Sequence, residues 1–267
     1  MNYIGRYGLD FNPFTKNTHD IMVETSDYKE ITYRLKYLLH NKGFGVITGG
    51  PGRGKTTIVR DWVKGLNPSL YKVIYLCLST LTVNEFYKYL ASELGLEASH
   101  RKSENFKLIQ NEINRYAFEK RITPVIVLDE ASYINNSVLN DFKMLFNFDM
   151  DSRDRVVVLF VGLPTLNNTL RLVANEPLRQ RISMSYNIDN LTKEESKAYI
   201  NAKLNGAKCN TQVFNDNAIE AIANASNGIP RIINQICNSC LLIGDNKNVN
   251  IIDADIVMLA VNETELG

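Results

Sequence analysis

Two stretches of the sequence carry residues whose types and spacing suit phosphate chemistry. The first is GGPGRGKTT at residues 49–57, which matches the pattern G-x-x-x-x-G-K-[ST] and follows the apolar run FGVIT. Glycines let the backbone turn tightly and aim several N–H groups at one anion, and the helix expected next adds its positive N-terminal end. The residues expected to bind a nucleotide here are Gly50, Pro51, Gly52, Arg53, Gly54, Lys55, Thr56 and Thr57.

Lys55 and Thr56 have the most specific expected roles in this loop. The Lys55 ammonium should reach the β- and γ-phosphates of ATP, and the Thr56 hydroxyl should hold Mg²⁺. A glycine-rich turn without a ligand is the alternative. The apolar strand before the loop and the helix after it favour the nucleotide site over that alternative.

The second stretch is VIVLDE at residues 125–130, an apolar run that ends in two acids. A strand of this kind places both carboxylates at the carboxyl edge of a parallel sheet, where α/β proteins bind ligands. Asp129 would act on Mg²⁺ through a coordinated water, and Glu130 would polarise the water that attacks the γ-phosphate. The alternative is an ordinary strand end with two solvated acids. Together the two stretches predict an ATPase that uses ATP and Mg²⁺.

The pattern of apolar residues predicts the elements that must position these side chains. Apolar runs at 44–48, 73–78, 125–128 and 156–161 alternate with helical patterns at 26–41, 55–65, 83–95, 103–121 and 136–148. This alternation indicates an α/β fold with a parallel sheet covered by helices on both faces. After a Thr-x-x-Glu capping box, residues 193–205, 216–226, 230–243 and 253–263 read as helices. We expect an α/β nucleotide-binding domain at 1–189 and a helical domain at 190–267.

The composition limits the classes of function. With 267 residues and a net charge of +1, the chain has no strong overall field, so nucleic acid would have to bind a local patch. Four cysteines do not form a disulfide framework at this length, which favours a reduced, cytoplasmic compartment. Cys237 and Cys240, a C-x-x-C within a predicted helix, are expected to pack in the core. No signal peptide or membrane span is expected.

Basic residues supply the remaining candidates. Residues 100–121 contain six Lys or Arg against three Glu, and this segment could face duplex DNA. The residues expected to contact DNA are Arg101, Lys102 and Lys107. A solvated helix face is the alternative for this segment. An arginine beside the γ-phosphate, from the same or a neighbouring subunit, could stabilise the transition state.

These features together resemble an AAA+ ATPase, and more closely the ExeA-like group, which includes the ATPase helpers of Mu- and TniB-type transposition systems. The two nucleotide motifs carry the resemblance to AAA+ proteins. The closer resemblance is carried by further segments in matching order along nearly the whole chain. They are YGL at 7–9, NPF at 12–14, LFNF at 145–148, FVGLPTL at 160–166, EPLRQRI at 176–182 and NGIPRI at 227–232.

The resemblance implies roles for four further residues. Arg181 would be the arginine finger that reaches the ATP of the neighbouring protomer, with Arg179 as the alternative. Arg231 would be the second sensor, which reports the γ-phosphate to the C-terminal helices as a lid. Phe14 would lie near the adenine.

One position departs from the pattern of the group. The group often has a polar residue in the turn after the fourth strand, whereas this sequence has Leu163 between Gly162 and Pro164. Leucine has no side-chain group that could hydrogen-bond to water or phosphate. Either Asn167 or Asn168 would substitute as the first sensor, or hydrolysis would be slow.

The resemblance implies an ATPase of a bacterial mobile element that binds duplex DNA through its backbone, without much sequence preference. It would assemble as a homo-oligomer, either a ring or a helical filament, and recruit or activate a DDE-type transposase. One alternative is a secretion ATPase at the inner membrane, whose chains continue past the AAA+ module, whereas this chain ends at Gly267. The sequence also leaves open a replication initiator or helicase loader, and a scaffold that hardly hydrolyses its nucleotide.

Overall fold

A computed structural model describes residues 3–16, 21–77 and 80–264 of the chain. Leu78, the last residue of the predicted second strand, lies outside these residues. Contacts between Cα atoms divide the chain into two compact units. The first is drawn from Met1–Tyr28, Gly52–Gly54 and Asp189–Gly267, and the second from Lys29–Pro51 and Lys55–Ile188. We refer to them as the helical unit and the sheet unit.

The sheet unit is built on five parallel strands in the order β2-β3-β4-β1-β5. The strands are β1 Gly43–Gly49, β2 Tyr71–Leu76, β3 Thr123–Leu128, β4 Val157–Gly162 and β5 Ile182–Ile188. Nearly every residue of β1, β3 and β4 is buried, as a parallel sheet covered on both faces requires. The structure confirms the predicted α/β fold and its first four strands.

Strand β5 was not predicted. Its sequence ISMSYNI alternates apolar and polar residues, and Ser183, Ser185 and Asn187 are exposed. Alternation of this kind is typical of a half-buried strand, which fits the position of β5 at the edge of the sheet beside β1.

The α-helices of the described residues follow the predicted pattern closely. In chain order they are α1 Tyr3–Arg6, α2 Ser26–Asn41, α3 Lys55–Lys64, α4 Val83–Glu93, α5 Lys102–Arg115, α6 Asn136–Leu145, α7 Thr165–Arg171, α8 Glu176–Arg179, α9 Lys193–Gly206, α10 Asp216–Ser226, α11 Pro230–Asn246 and α12 Ala254–Thr264. The helix predicted at 103–121 is instead α5 followed by a π-helical turn, Tyr116–Lys120. The short helices α1, α7 and α8 were not predicted.

A cluster of aromatic rings fixes α4 and α6 against the sheet. The Phe142 ring of α6 lies 5.2 Å from that of Phe160 in β4 and 5.1 Å from that of Phe86 in α4, between ring centroids. Phe160 also stacks on Phe44 of β1, with 6.3 Å between the centroids. These buried rings set the positions of the strands whose ends carry the candidate site.

The helical unit has its own apolar core, formed by α9 to α12 together with residues near the N-terminus. Tyr7, Leu9 and Phe14 are buried in this core. The Tyr7 ring can pack against α11 only because residue 244 is glycine. A Cβ at this position would lie 2.2 Å from the Tyr7 hydroxyl. The expected domain division placed residues 1–189 in one domain, whereas contacts between Cα atoms group the described residues before Lys29 with the C-terminal helices.

None of the helices in the described ranges combines the length and the apolar character that crossing a membrane requires.

A network of hydrogen bonds around Glu195 fixes the start of α9. The Glu195 carboxylate accepts from the backbone N–H of Thr192 at 3.0 Å, and the Thr192 hydroxyl accepts from the Glu195 N–H at 3.1 Å, which completes the predicted capping box. The hydroxyl of Ser26, at the start of α2, donates to the same carboxylate at 2.5 Å. The bonds from Ser26 and Thr192 lower the pKa of Glu195.

We expect Glu195→Gln to destabilise the protein at pH 7 by roughly 1 kcal/mol, because a neutral amide replaces the carboxylate that accepts charge-assisted hydrogen bonds from Ser26 and Thr192. Because the pKa of Glu195 is lower in the folded state than its ordinary value of 4.5, its stabilising effect is complete above that value. The effect is lost as the pH falls through the folded-state pKa, so the difference between variant and wild type should shrink toward pH 3. Urea unfolding followed by circular dichroism at both pH values would measure it, with the adjacent Glu194→Gln as control. An equal difference at both pH values would contradict this assignment.

Candidate nucleotide-binding site

The glycine-rich loop joins β1 to α3 and holds a buried ammonium group. Lys55 Nζ donates to the carbonyls of Gly49 and Gly50, both at 2.9 Å. Gly52 and Gly54 have φ of +76° and +90°, a conformation that side chains disfavour, and a Cβ on Gly54 would meet no atom within 4 Å. The positive φ values of these two glycines let the backbone turn tightly between β1 and α3, as a phosphate-binding loop requires.

Thr56 and Asp129 lie side by side at the carboxyl edge of the sheet. The Thr56 hydroxyl, in the first turn of α3, donates to Asp129 Oδ2 at 2.8 Å. Asp129 follows β3 and is only 6% exposed. A carboxylate and a hydroxyl at this distance are hard oxygen donors of the kind that Mg²⁺ prefers, so these residues fit the metal that the sequence predicts.

Tyr75 is a third member of this cluster that the sequence motifs did not indicate. Its hydroxyl donates to the same oxygen, Asp129 Oδ2, at 2.7 Å. Burial raises the pKa of Tyr75, and the hydrogen bond to Asp129 raises it further, so the phenol stays a donor. In the sequence, Tyr75 is recognisable only as a tyrosine near the end of a predicted strand. The pairing of β2 with β3, which the sequence does not reveal, places it beside Asp129.

Glu130 has a backbone conformation that is unusual for its residue type. Its φ of 54° and ψ of 34° lie in the left-handed region, and its backbone N–H donates to Asp129 Oδ1 at 2.9 Å. The side chain is exposed. Seven other non-glycine residues among those described also have positive φ, so it is the position of Glu130 directly after the buried Asp129, rather than its backbone alone, that favours a functional role.

The turn after β4 is fastened to the segment that follows Glu130. Ser132 Oγ accepts from the Leu163 N–H at 2.6 Å and lies 3.3 Å from the Leu163 carbonyl, to which it donates. Gly162 permits this approach, because a Cβ there would lie 2.5 Å from Ser132 Oγ. Backbone groups of Leu163, rather than its apolar side chain, thus connect the two strand ends.

Of the two asparagines considered as the first sensor, Asn167 is tied to the strand that leads into the loop. Its amide donates to Thr48 Oγ1 at 3.1 Å, and Thr48 in turn donates to Asn187 Oδ1 at 3.2 Å. Asn168 is exposed. The hydrogen bond to Thr48 makes Asn167 the better candidate of the two.

Arg181 is held within the sheet unit by several groups. Its guanidinium donates to the carbonyls of Lys143 and Phe146, both at 3.1 Å, and to Asp154 Oδ1 at 2.9 Å. It also lies 4.9 Å from the centroid of the Phe44 ring, and its side chain is 13% exposed. Because it binds carbonyls at the C-terminal end of α6, Arg181 acts as a cap for that helix.

Arg179, two residues earlier, is much less constrained. Its side chain is 44% exposed, donates to the Arg171 carbonyl at 3.3 Å and lies 3.8 Å from Glu176 Oε1. Both contacts are with residues on the same short segment. The two arginines that the sequence could not distinguish therefore have different surroundings.

Three further candidate residues belong to the helical unit. The Arg231 N–H, at the start of α11, donates to the Gly52 carbonyl at 3.2 Å, and the Arg231 side chain is exposed. Arg53 lies 3.7 Å from Asp189 Oδ1. Phe14 is buried, with its ring 6.4 Å from that of Phe214 in an edge-to-face contact. Arg231 and the loop residue Gly52 are thus direct neighbours.

The basic segment of α5 is only partly available to a ligand. Lys102 Nζ lies 2.5 Å from the buried Asp141 and 5.5 Å from the centroid of the Tyr87 ring, which gives this lysine a structural role. Arg101 and Lys107 are exposed, and Arg101 makes a 3.4 Å contact with Glu104. Cys237 and Cys240 are buried in α11, where burial raises the pKa of both thiols.

Comparison with known proteins finds a family model and several relatives that this chain resembles. Residues 38–170 match the family model of the AAA domain. General secretion pathway protein A of Aeromonas hydrophila is 29% identical over 247 residues, which cover 90% of this chain and 44% of that protein. ATP-dependent target DNA activator B of Escherichia phage Mu is 24% identical over 192 residues, which cover 70% of this chain and 57% of that protein. The chain therefore spans about half the length of these two relatives.

Among solved structures, Cdc6p from Pyrobaculum aerophilum superimposes with a TM-score of 0.71 at 17% sequence identity. The match covers 96% of this chain and 71% of that one. At this identity the similarity is evidence for a shared fold only. It agrees with the parallel sheet and C-terminal helices described above.

The different surroundings of the two arginines predict different effects on stability. We expect Arg181→Ala to destabilise the protein by about 2 to 3 kcal/mol, because it removes three hydrogen bonds from a charged donor in a mostly buried site. Arg179→Ala should change stability by less than about 0.5 kcal/mol, as is usual for an exposed side chain. Urea unfolding of the two variants beside wild type would measure both values. Equal effects would show that the Arg181 contacts contribute nothing specific.

Proposed function

We propose that the chain is an AAA+ ATPase that oligomerises on duplex DNA in the presence of ATP and recruits or activates a transposase. The proposal is supported by the match of residues 38–170 to the AAA domain family. The contact of Thr56 with Asp129, beside the loop that holds Lys55, is the observation that carries the nucleotide chemistry. The DNA role is supported by similarity to a relative named for ATP-dependent activation of target DNA. We place the protein in the bacterial cytoplasm.

In this proposal each residue of the site has a separate task. The N–H groups of the loop and the Lys55 ammonium bind the β- and γ-phosphates. Thr56 and Asp129 would hold Mg²⁺, which neutralises charge on the phosphates when bound. Glu130 accepts a proton from the attacking water and so directs it toward the γ-phosphate.

We assign the arginine that acts on a neighbouring subunit's nucleotide to Arg179 rather than to Arg181. An arginine finger must extend from the surface of its own subunit, and Arg181 is instead bound to two carbonyls and a carboxylate. Arg179 is exposed, and its partners among the described residues, the Arg171 carbonyl and Glu176, are close in sequence. Arg231 is proposed as the second sensor because its backbone is hydrogen-bonded to Gly52 of the phosphate loop.

For the contact with DNA we propose Arg101 and Lys107 of the α5 segment. Lys102 is a weaker candidate, because release of its ammonium would leave the buried Asp141 without this ion-pair partner. With a net charge of +1, one subunit would bind DNA weakly. Many subunits on one duplex need only a few backbone contacts each, so assembly and DNA binding would reinforce one another.

A second candidate function is a nucleotide switch that hydrolyses ATP slowly. The apolar Leu163 at the first-sensor turn favours it, since leucine has no side-chain group that could hydrogen-bond to the attacking water or the γ-phosphate. Secretion is a further candidate, supported by the 29% identity to General secretion pathway protein A.

Glu130→Gln separates hydrolysis from assembly. We expect duplex DNA to stimulate ATP turnover by the wild type, and the variant to lose at least about a hundredfold of that turnover because it lacks a general base. The variant should still assemble on DNA in the presence of ATP. Phosphate release and electron microscopy with ATP or ADP would measure the two properties, with the exposed Glu97→Gln as control.

Two outcomes would decide against parts of this proposal. If the wild type needs ATP to assemble on DNA but DNA does not stimulate its ATP turnover, the result would favour the slowly hydrolysing nucleotide switch. A monomer that is indifferent to DNA with either nucleotide would contradict the DNA role altogether.

The assignment of Arg179 predicts complementation between two inactive variants. Arg179→Ala should lower turnover about a thousandfold or more while ATP binding is retained. In a mixture with Glu130→Gln, some interfaces would combine an intact Glu130 with an intact Arg179 from the neighbour. Turnover of the mixture should therefore exceed the sum of the two variants alone, whereas Arg171→Ala should behave as wild type. A mixture no more active than that sum would contradict action across the interface.

A further inference from the structure

We infer that Tyr75 is a positioning residue for the metal site, which acts by holding the carboxylate of Asp129 through a hydrogen bond to Oδ2. The inference rests on the proposed function in one respect, namely that Thr56 and Asp129 together hold Mg²⁺ with ATP. It adds a residue from β2 to a site that the two sequence motifs would otherwise supply alone.

Three donors fix the orientation of the Asp129 carboxylate. Oδ2 accepts from the Tyr75 hydroxyl at 2.7 Å and from the Thr56 hydroxyl at 2.8 Å. Oδ1 accepts from the backbone N–H of Glu130 at 2.9 Å. Tyr75 and Thr56 reach the same oxygen from different elements, β2 and α3. The loss of either hydroxyl would leave Oδ2 with one donor fewer and the carboxylate freer to rotate.

The sheet, rather than the packing of its own ring, places the Tyr75 hydroxyl. Its neighbours in β2, Ile74 and Leu76, are each 2% exposed, and β2 pairs in continuous register with β3, which ends just before Asp129. The Tyr75 side chain itself is 44% exposed. A half-exposed ring adds little to the packing of the core. The specific contact of Tyr75 is the hydrogen bond from its hydroxyl to Asp129 Oδ2.

The chemistry of metal sites sets the size of the expected effect. Groups that hydrogen-bond to a metal ligand fix its orientation, and their removal typically lowers metal affinity about 10- to 100-fold. Loss of one of two donors to Oδ2 should fall near the lower end of this range. Nucleotide binding without metal should not change, because Tyr75 has no part in the proposed contacts of the loop with phosphate.

The test is binding of a fluorescent ATP analogue to Tyr75→Phe, measured during a Mg²⁺ titration and again in EDTA. We expect the Mg²⁺ concentration for half-maximal binding to rise about tenfold, excess Mg²⁺ to restore full binding, and the affinity in EDTA to match wild type. Tyr71→Phe, which removes a phenol from the start of the same strand, is the matched control and should behave as wild type.

The outcomes separate this inference from the proposed function. If wild type binds the analogue in a Mg²⁺-dependent manner and Tyr75→Phe has the same titration curve, the role of Tyr75 is overturned while the nucleotide site stands. Equal loss of binding with Mg²⁺ and in EDTA would also overturn it, since that pattern indicates a general structural defect. If wild type itself binds no nucleotide, the proposed function fails first.

Discussion

The contact between Thr56 and Asp129 is the constraint on which the rest of the site depends. Thr56 follows β1 and Asp129 follows β3, and β4 lies between these two strands. Neighbouring strands are about 4.8 Å apart, so the two strand ends are separated by roughly 10 Å. The chain that follows β1 and the chain that follows β3 nevertheless meet, since the Thr56 hydroxyl lies 2.8 Å from the Asp129 carboxylate.

Because β4 lies between β1 and β3, small residues are needed where these strands end. Gly162 ends β4 and leaves room for Ser132. The Ser132 hydroxyl accepts from the N–H of Leu163 and donates to the carbonyl of the same residue. Gly49 ends β1 where a Cβ would lie 3.0 Å from the Ile188 carbonyl of β5. The glycines therefore serve two purposes, since they form the anion cradle and also allow three strand ends to approach each other closely.

The sequence was sufficient for features that depend on local pattern. Continuous apolar runs predicted β1, β3 and β4, and the loop pattern singled out Lys55 and Thr56 before any strand order was known. Features that depend on the order of strands were missed, because no local pattern records that β2 pairs with β3. Tyr75 and Ser132 are of this kind. Strand β5 was missed for a different reason, since an edge strand with exposed serines carries a weaker apolar signal than a buried one.

The pair Arg179 and Arg181 shows how far side-chain environment alters an assignment based on motif. The segment EPLRQRI contains both, and their spacing gives no reason to prefer either. In the fold, α8 ends at Arg179 and β5 begins at Ile182, so Arg181 lies at the entry to the sheet and binds the last carbonyls of α6. Arg181 thereby anchors the segment that presents Arg179 at the surface. An Arg181 variant could lose ATP turnover either because Arg179 is displaced or because Arg181 is itself the arginine finger. A measurement of activity alone therefore does not separate the anchoring role of Arg181 from a finger role. A measurement of stability does, because only the anchoring arginine contributes to the folded state of its own subunit.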